Sequence, residues 1–342
     1  MPKFNAANEQ IKRKYYTWLR EARGQSEATI DQVAASIDRF EDYAKRADFR
    51  SFHTERVKAF KEHLAGDLSV RTSKRLSHAT IYATLSNLRM FFQWLAGQPG
   101  YKQSFAFGDW DYFSPSGATS SIAKARRPSR APTLTEIRHV IGLMPTATEV
   151  ERRDRAVIAF IAVTGARVSA VASFQLGHID IERRVVFQDA RDVRTKFRKT
   201  FETWFFPIGG DLEQIVVDWV RYLLNEKGWG LKDPLFPSTN VGLNDTGQFG
   251  PLGLARSPWS STGPLREILR EAFGRAGLAY PNPHSFRETL AAFGREHCEG
   301  LAEMQAWAQN LGHESLTTTF GSYAKVSSDE QRRLVRSIGK AM

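Results

Sequence analysis

Pro283-His284-Ser285-Phe286-Arg287, then Leu311-Gly312-His313, then Ser322-Tyr323-Ala324-Lys325: the chain is organised around this run. It sets a His-x-x-Arg pair, a second histidine and a tyrosine within forty residues. A phenol can act as nucleophile, an arginine fork can hold the non-bridging oxygens of a phosphate, and imidazoles can move protons. Those are the groups phosphodiester chemistry needs when no metal takes part. His284 and Arg287, three apart near a helix start, project from one face.

The elements around the run are mostly helical. Spacing of apolar residues predicts helices over 264–276, 286–296 and 301–310, and a further helix from Asp211 to about Asn225. After the tyrosine, Ser327-x-x-Glu330 reads as a capping box, followed by a short stripe of Leu334, Val335 and Ile338. Upstream, Thr133-x-x-Glu136 is a first capping box, and Arg153–Val163 is a strongly apolar helix that runs into Thr164-Gly165-Ala166-Arg167. An arginine just past a buried helix is costly unless paired, either to a carboxylate or to a phosphate. Alternation in 179–181, 185–187 and 203–208 predicts an antiparallel sheet of about three strands. The connection before the last of them carries Arg194, Lys196, Arg198 and Lys199. Four cations on a hairpin tip suit a DNA groove, and a solvated basic turn is the plainer reading. Residues 238–262 are rich in Gly, Ser, Asn and Pro and read as a long loop, mobile or shaped by a partner.

The N-terminal part shows no strand pattern. Four helices are expected between residues 5 and 97, with Ser26 and Ser77 as caps and Gly97 as a stop. Their aromatics read as core rather than base-stacking platforms. Arg71, Lys74, Arg75 and Arg89 lie before and on the fourth helix and could face DNA. Residues 98–130 break the periodicity with Gln98-Pro99-Gly100 and Ser114-Pro115-Ser116-Gly117, then close on Lys124, Arg126 and Arg127. That composition reads as an extended basic linker. The expected division is a helical domain over 1–97, a linker over 98–130 and a second domain over 131–342, ending in a tail helix over 327–342.

Charge points the same way. The chain has 48 Lys and Arg against 37 Asp and Glu, a net +11, and 42% apolar residues. The surplus sits mostly in the first 130 residues, where 22 cations face 13 anions. A polyanionic partner is implied. One cysteine, Cys298, excludes an internal disulfide. No run of eighteen apolar residues marks a membrane span, and the N-terminus lacks a signal-peptide core, so a cytoplasmic, nucleoid-associated protein is expected.

Arg167, Lys196, His284-x-x-Arg287, His313 and Tyr323, in this order after an all-α domain, resemble the tyrosine recombinase (phage integrase) family. Thr164-Gly165-Ala166-Arg167 is similar to its first arginine box, His284-Ser285-Phe286-Arg287 to its His-x-x-Arg box, and Leu311-Gly312-His313-Glu314-Ser315 to its Leu-Gly-His box. Tyr323 is placed like its nucleophile. The resemblance implies a mainly α fold with a small antiparallel sheet: an all-α core-binding domain joined to an α+β catalytic domain. It implies cleavage and rejoining of DNA at specific sites through a 3′-phosphotyrosine, for integration or excision of a mobile element, with no cofactor or metal. It assigns the leaving-group proton to a hairpin lysine, with Lys196 favoured and Lys199 the alternative. The implied partners are double-stranded recombination sites and other copies of the chain. The protein would be a tetramer on DNA and largely a monomer when free, with accessory DNA-bending proteins as further partners. The tail would pass to a neighbouring subunit. In place of the acidic residue that commonly follows the first arginine by three, this chain has Ala170. Two other readings stand beside recombination: a type IB topoisomerase, which relaxes DNA, and a regulator that binds DNA without cutting it.

Overall fold

The computed structural model describes residues 4–68, 75–124, 130–195, 199–243, 247–313 and 315–316, with the backbone only at Ala118 and Lys124. The chain divides into two compact units, residues 1–128 and 129–342.

The first unit contains α1 (Ala6–Glu21), α2 (Glu27–Tyr43), α3 (Thr54–Gly66) and α4 (His78–Ala96). Ser26 and Ser77 cap α2 and α4 by accepting the amides of Thr29 and Thr80, as their sequence positions predict. The aromatic residues are core: Tyr15, Phe40, Phe60, Phe91 and Phe92 are at most 3% exposed, and Phe40 meets the Phe60 and Phe92 rings edge-on.

The segment read as a linker belongs largely to this unit. Tyr101 and Phe113 are buried in its core, with Phe105 and Trp110 packed against it. Lys61 of α3 donates to the carbonyls of Tyr112 and Ser114, and α5 (Gly117–Lys124) packs on α4. Glycine and proline in this stretch set its turns, while four aromatics spaced among them supply the burial that an extended linker lacks.

In the second unit α6 (Leu134–Gly142) opens with the predicted Thr133–Glu136 capping box. The axis is α7 (Glu149–Thr164), buried from Ala156 to Thr164 and packed against α6, the short α8 (Val168–Val171), α9 (Gly210–Arg221), α10 (Gly263–Arg275) and α11 (Ser285–His297). Its buried Val, Ile and Phe side chains each contribute about 2 kcal/mol of burial. The sheet is antiparallel in the order β1 (Ile179–Asp180), β2 (Val185–Gln188), β3 (Phe201–Trp204). β3 stops at Trp204, and Phe206 turns its amide to the Val163 carbonyl at the end of α7. α12 (Leu301–Asn310) closes the described chain.

The loop over 238–262 contains a hairpin, β4 (Thr239–Leu243) with β5 (Phe249–Leu254), bulged at Asn240 and Val241. Helix α7 roots it. Arg153, 2% exposed, donates to the Pro237 carbonyl and the Thr239 hydroxyl and lies over the Trp259 ring. Glu149 accepts the amide of Leu254. A buried guanidinium must find acceptors: Nε and Nη2 pair with the neighbouring Asp154 carboxylate, and Nη1 takes its acceptors from this loop.

Candidate active site

Three separated stretches of the second unit close on one arginine. Helix α7 ends at Gly165, which is left-handed at φ 59° and bonds Ile161 through its amide. The Thr164 hydroxyl accepts the amide of Ala166 and donates to the Phe160 carbonyl. The turn is thereby fixed, and Arg167 begins α8, half-buried.

Helix α11 starts at Ser285, with exposed His284 at its N-cap. The Asn282 side chain accepts the His284 amide at 3.1 Å, and the Ser285 hydroxyl donates to the Asn282 carbonyl at 2.6 Å. One turn later Arg287 is only 3% exposed. Its Nη1 donates to the Gly165 carbonyl at 2.7 Å, and its Nη2 reaches the Leu311 carbonyl at 2.5 Å and His313 Nε2 at 2.6 Å. A guanidinium has donors only, so Nε2 accepts and the ring proton of His313 sits on Nδ1.

The Leu-Gly-His box is the C-terminus of α12. His313 N–H bonds the Ala308 carbonyl and Gly312 N–H bonds the Gln309 carbonyl. Gly312 is left-handed at φ 72°. This is a Schellman end, and it explains the box residue by residue. Glycine takes the left-handed position, Leu311 before it is buried, and His313 after it is turned onto Arg287. A Cβ at Gly312 would stand 2.6 Å from the Phe201 ring at the start of β3.

Gly165 is equally constrained. A Cβ there would lie 2.8 Å from Leu311 and 2.9 Å from Leu290. Gly165→Ala combines a strained φ with displaced buried leucines, at a cost of about 1–3 kcal/mol. It also shifts the carbonyl that holds Arg287. The expected result is a lower melting temperature together with slower strand cleavage. An alanine variant that melts and cleaves like the parent would show that the turn is not a support of the site.

The basic connection between β2 and β3 is tied at its root. Arg191 forks onto Asp189 and holds that carboxyl down to about 2. The Ala190 amide bonds the Thr200 hydroxyl at 3.1 Å, and the Arg194 amide bonds Ser173 Oγ at 2.9 Å. The Arg194 guanidinium, expected at DNA, donates to the carbonyls of Trp259 and Ser260. Lys199 is half-buried. In the first unit Arg75 is exposed and bridges Leu68 through the backbone, while Arg89 pairs with Asp111 at 2.6 Å. Lys196, Arg198, Tyr323, Arg71, Lys74, Arg126, Arg127 and the tail lie outside the described residues, as does the Lys124 side chain.

Ala170, where the resemblance leads one to expect an acid, is 1% exposed in the core; the position serves apolar packing. Two polar residues escaped the sequence reading, Ser173 and Asn310. The Asn310 carboxamide pairs with both backbone groups of Trp204. Neither has a local signal, since their partners lie 21 and 106 residues away.

The profile of the phage integrase family matches residues 134–330. Tyrosine recombinase XerC of Halalkalibacterium halodurans is 24% identical over 336 residues, which are 96% of this chain and 97% of that protein. Among solved structures, a lambda integrase dimer bound to a COC′ core site superposes with a TM-score of 0.61 at 15% identity, covering 93% of this chain and 95% of that one. The XerH recombinase on palindromic difH, a post-cleavage complex, gives 0.58 at 17%, covering 95% and 83%. Those structures share the fold. The family profile spans all three stretches that converge on Arg287, and by that match the chain belongs to the phage integrase family of tyrosine recombinases.

Proposed function

We propose that the protein cleaves double-stranded DNA at a specific site and rejoins it to a partner site, with Tyr323 as nucleophile. The observation that carries this is the buried Arg287 fork, which draws the Gly165 turn, the Leu311 carbonyl and His313 to one point.

The chemistry follows from the groups. Tyr323 Oη loses its proton to His284 and bonds the phosphorus. The bond from phosphorus to the 5′-oxygen breaks, and that oxygen takes a proton from Lys196, with Lys199 the alternative. Charge on the non-bridging oxygens is met by Arg167, Arg287 and His313. The 3′-phosphotyrosine conserves the bond, so a second 5′-hydroxyl reverses the step on another strand without an energy source.

The partners are DNA and further copies of the chain. In support, lambda integrase is known as a dimer on a core site and as a tetramer on a Holliday junction. A tetramer on two sites, assembled from protomers that are largely monomeric when free, fits this reading. The tail over 327–342 would be exchanged between protomers, accessory DNA-bending proteins would assist, and the DNA would come from a mobile element.

A nicked duplex half-site tests the proposal, because the nick releases a short strand and traps the covalent adduct. The expected result is an adduct that then joins its strand to a second half-site. An adduct that only reseals its own strand would indicate a relaxing enzyme, and no adduct at all a regulator.

A further inference from the structure

β3 is an edge strand, so its outward N–H and C=O groups need partners. At Trp204 one side chain supplies both. Asn310 Oδ1 accepts the Trp204 amide at 2.7 Å, and Asn310 Nδ2 donates to the Trp204 carbonyl at 2.9 Å. The carboxamide pairs with the strand as another strand residue would. Behind it, the buried Thr203 hydroxyl donates to the Asn310 carbonyl at 3.2 Å and accepts from Gln188 Nε2 of β2 at 2.9 Å. At the other end of β3, the Phe201 ring lies against Gly312. Residues 310–312 and 201–204 therefore form one joint. On one side of it, the Leu311 carbonyl and His313 hold Arg287. On the other, β3 continues straight back into Thr200 and Lys199 of the basic connection.

We propose that Asn310 is a positioning residue that fixes β3, and with it the described root of the basic connection at Lys199 and Thr200, relative to the residues that hold Arg287, so that the proton transfer to the leaving group depends on it. The inference rests on the lysine's role proposed above. Only an amide side chain offers an acceptor and a donor at this spacing. Aspartate keeps the acceptor alone, and alanine keeps neither. Displacing a proton donor by even 1 Å costs up to about 100-fold in rate.

The test compares ordinary DNA with DNA carrying a 5′-bridging phosphorothiolate, whose sulfur leaves without a proton. On ordinary DNA, Asn310→Ala should cleave roughly 10- to 100-fold more slowly than the parent, and Asn310→Asp should fall between them. On the sulfur substrate both should return to the parent rate, with unchanged DNA affinity. Lys196→Ala and Lys199→Ala run alongside, and one of them should show the same rescue. If a lysine variant is rescued and the Asn310 variants are not, Asn310 acts elsewhere and the inference fails. Asn310 variants that cleave ordinary DNA at the parent rate also overturn it. If neither lysine variant is rescued, the lysine's role itself falls, and this inference with it. Should the alanine variant not fold, the aspartate variant decides by the same ratio.

Discussion

Arg287→Lys should lose strand cleavage by about 10³-fold, the scale of removing a preorganised charge donor from a reacting centre. The substitution keeps the charge, so the loss must come from geometry. The native fork reaches the Gly165 carbonyl, the Leu311 carbonyl and His313 at once, from two nitrogens of a rigid plane. An ammonium group is a single point on a shorter reach and cannot span them. Two buried carbonyls then lose a charged donor, each at about 1–3 kcal/mol, so the melting temperature should fall as well. DNA affinity should hold, because the basic surplus of the chain lies mostly in the first 130 residues, away from this position. The check is cleavage of a nicked half-site, read beside a gel-shift titration and a melt. A lysine variant that cleaves at near the parent rate would remove Arg287 from the phosphate site.

Tyr323→Phe should abolish the covalent adduct altogether while leaving DNA binding and thermal stability at parent values. Tyr323 is the only tyrosine after the Leu-Gly-His box. The substitution deletes one oxygen and leaves the ring, so no packing term accompanies the loss. The readout is a denaturing gel of protein mixed with end-labelled half-site. A protein-linked strand in the phenylalanine lane would mean that another residue attacks the phosphorus.

The sequence disclosed local features far better than distant ones. Ser26, Ser77 and Thr133 act on amides within three residues of themselves, so their caps are visible in the chain. The Leu-Gly-His box is local too: Gly312 and His313 bond carbonyls three and five residues back. Arg287 is the opposite case. Its importance is legible through the family resemblance, but its bond to Gly165 joins positions 122 apart and leaves no periodicity. The stretch from 98 to 130 was misread because Pro99-Gly100, Pro115–Gly117 and its basic end read as a linker, whereas burial depends on where Tyr101, Phe105, Trp110 and Phe113 point. The β4–β5 hairpin was hidden similarly, since its order comes from Arg153 and Glu149 on a helix nearly a hundred residues upstream.

The long reach of the Arg287 bond also has a meaning in time. A chain emerging from the ribosome grows at about 5–20 residues per second, N-terminal units folding first. The four-helix unit is complete and already basic while Arg287 and His313 are still unmade. The Gly165 turn waits on the order of ten seconds for the residues that complete it. The pocket around Arg287 can therefore close only when synthesis is nearly finished, since His313 is among the last thirty residues added.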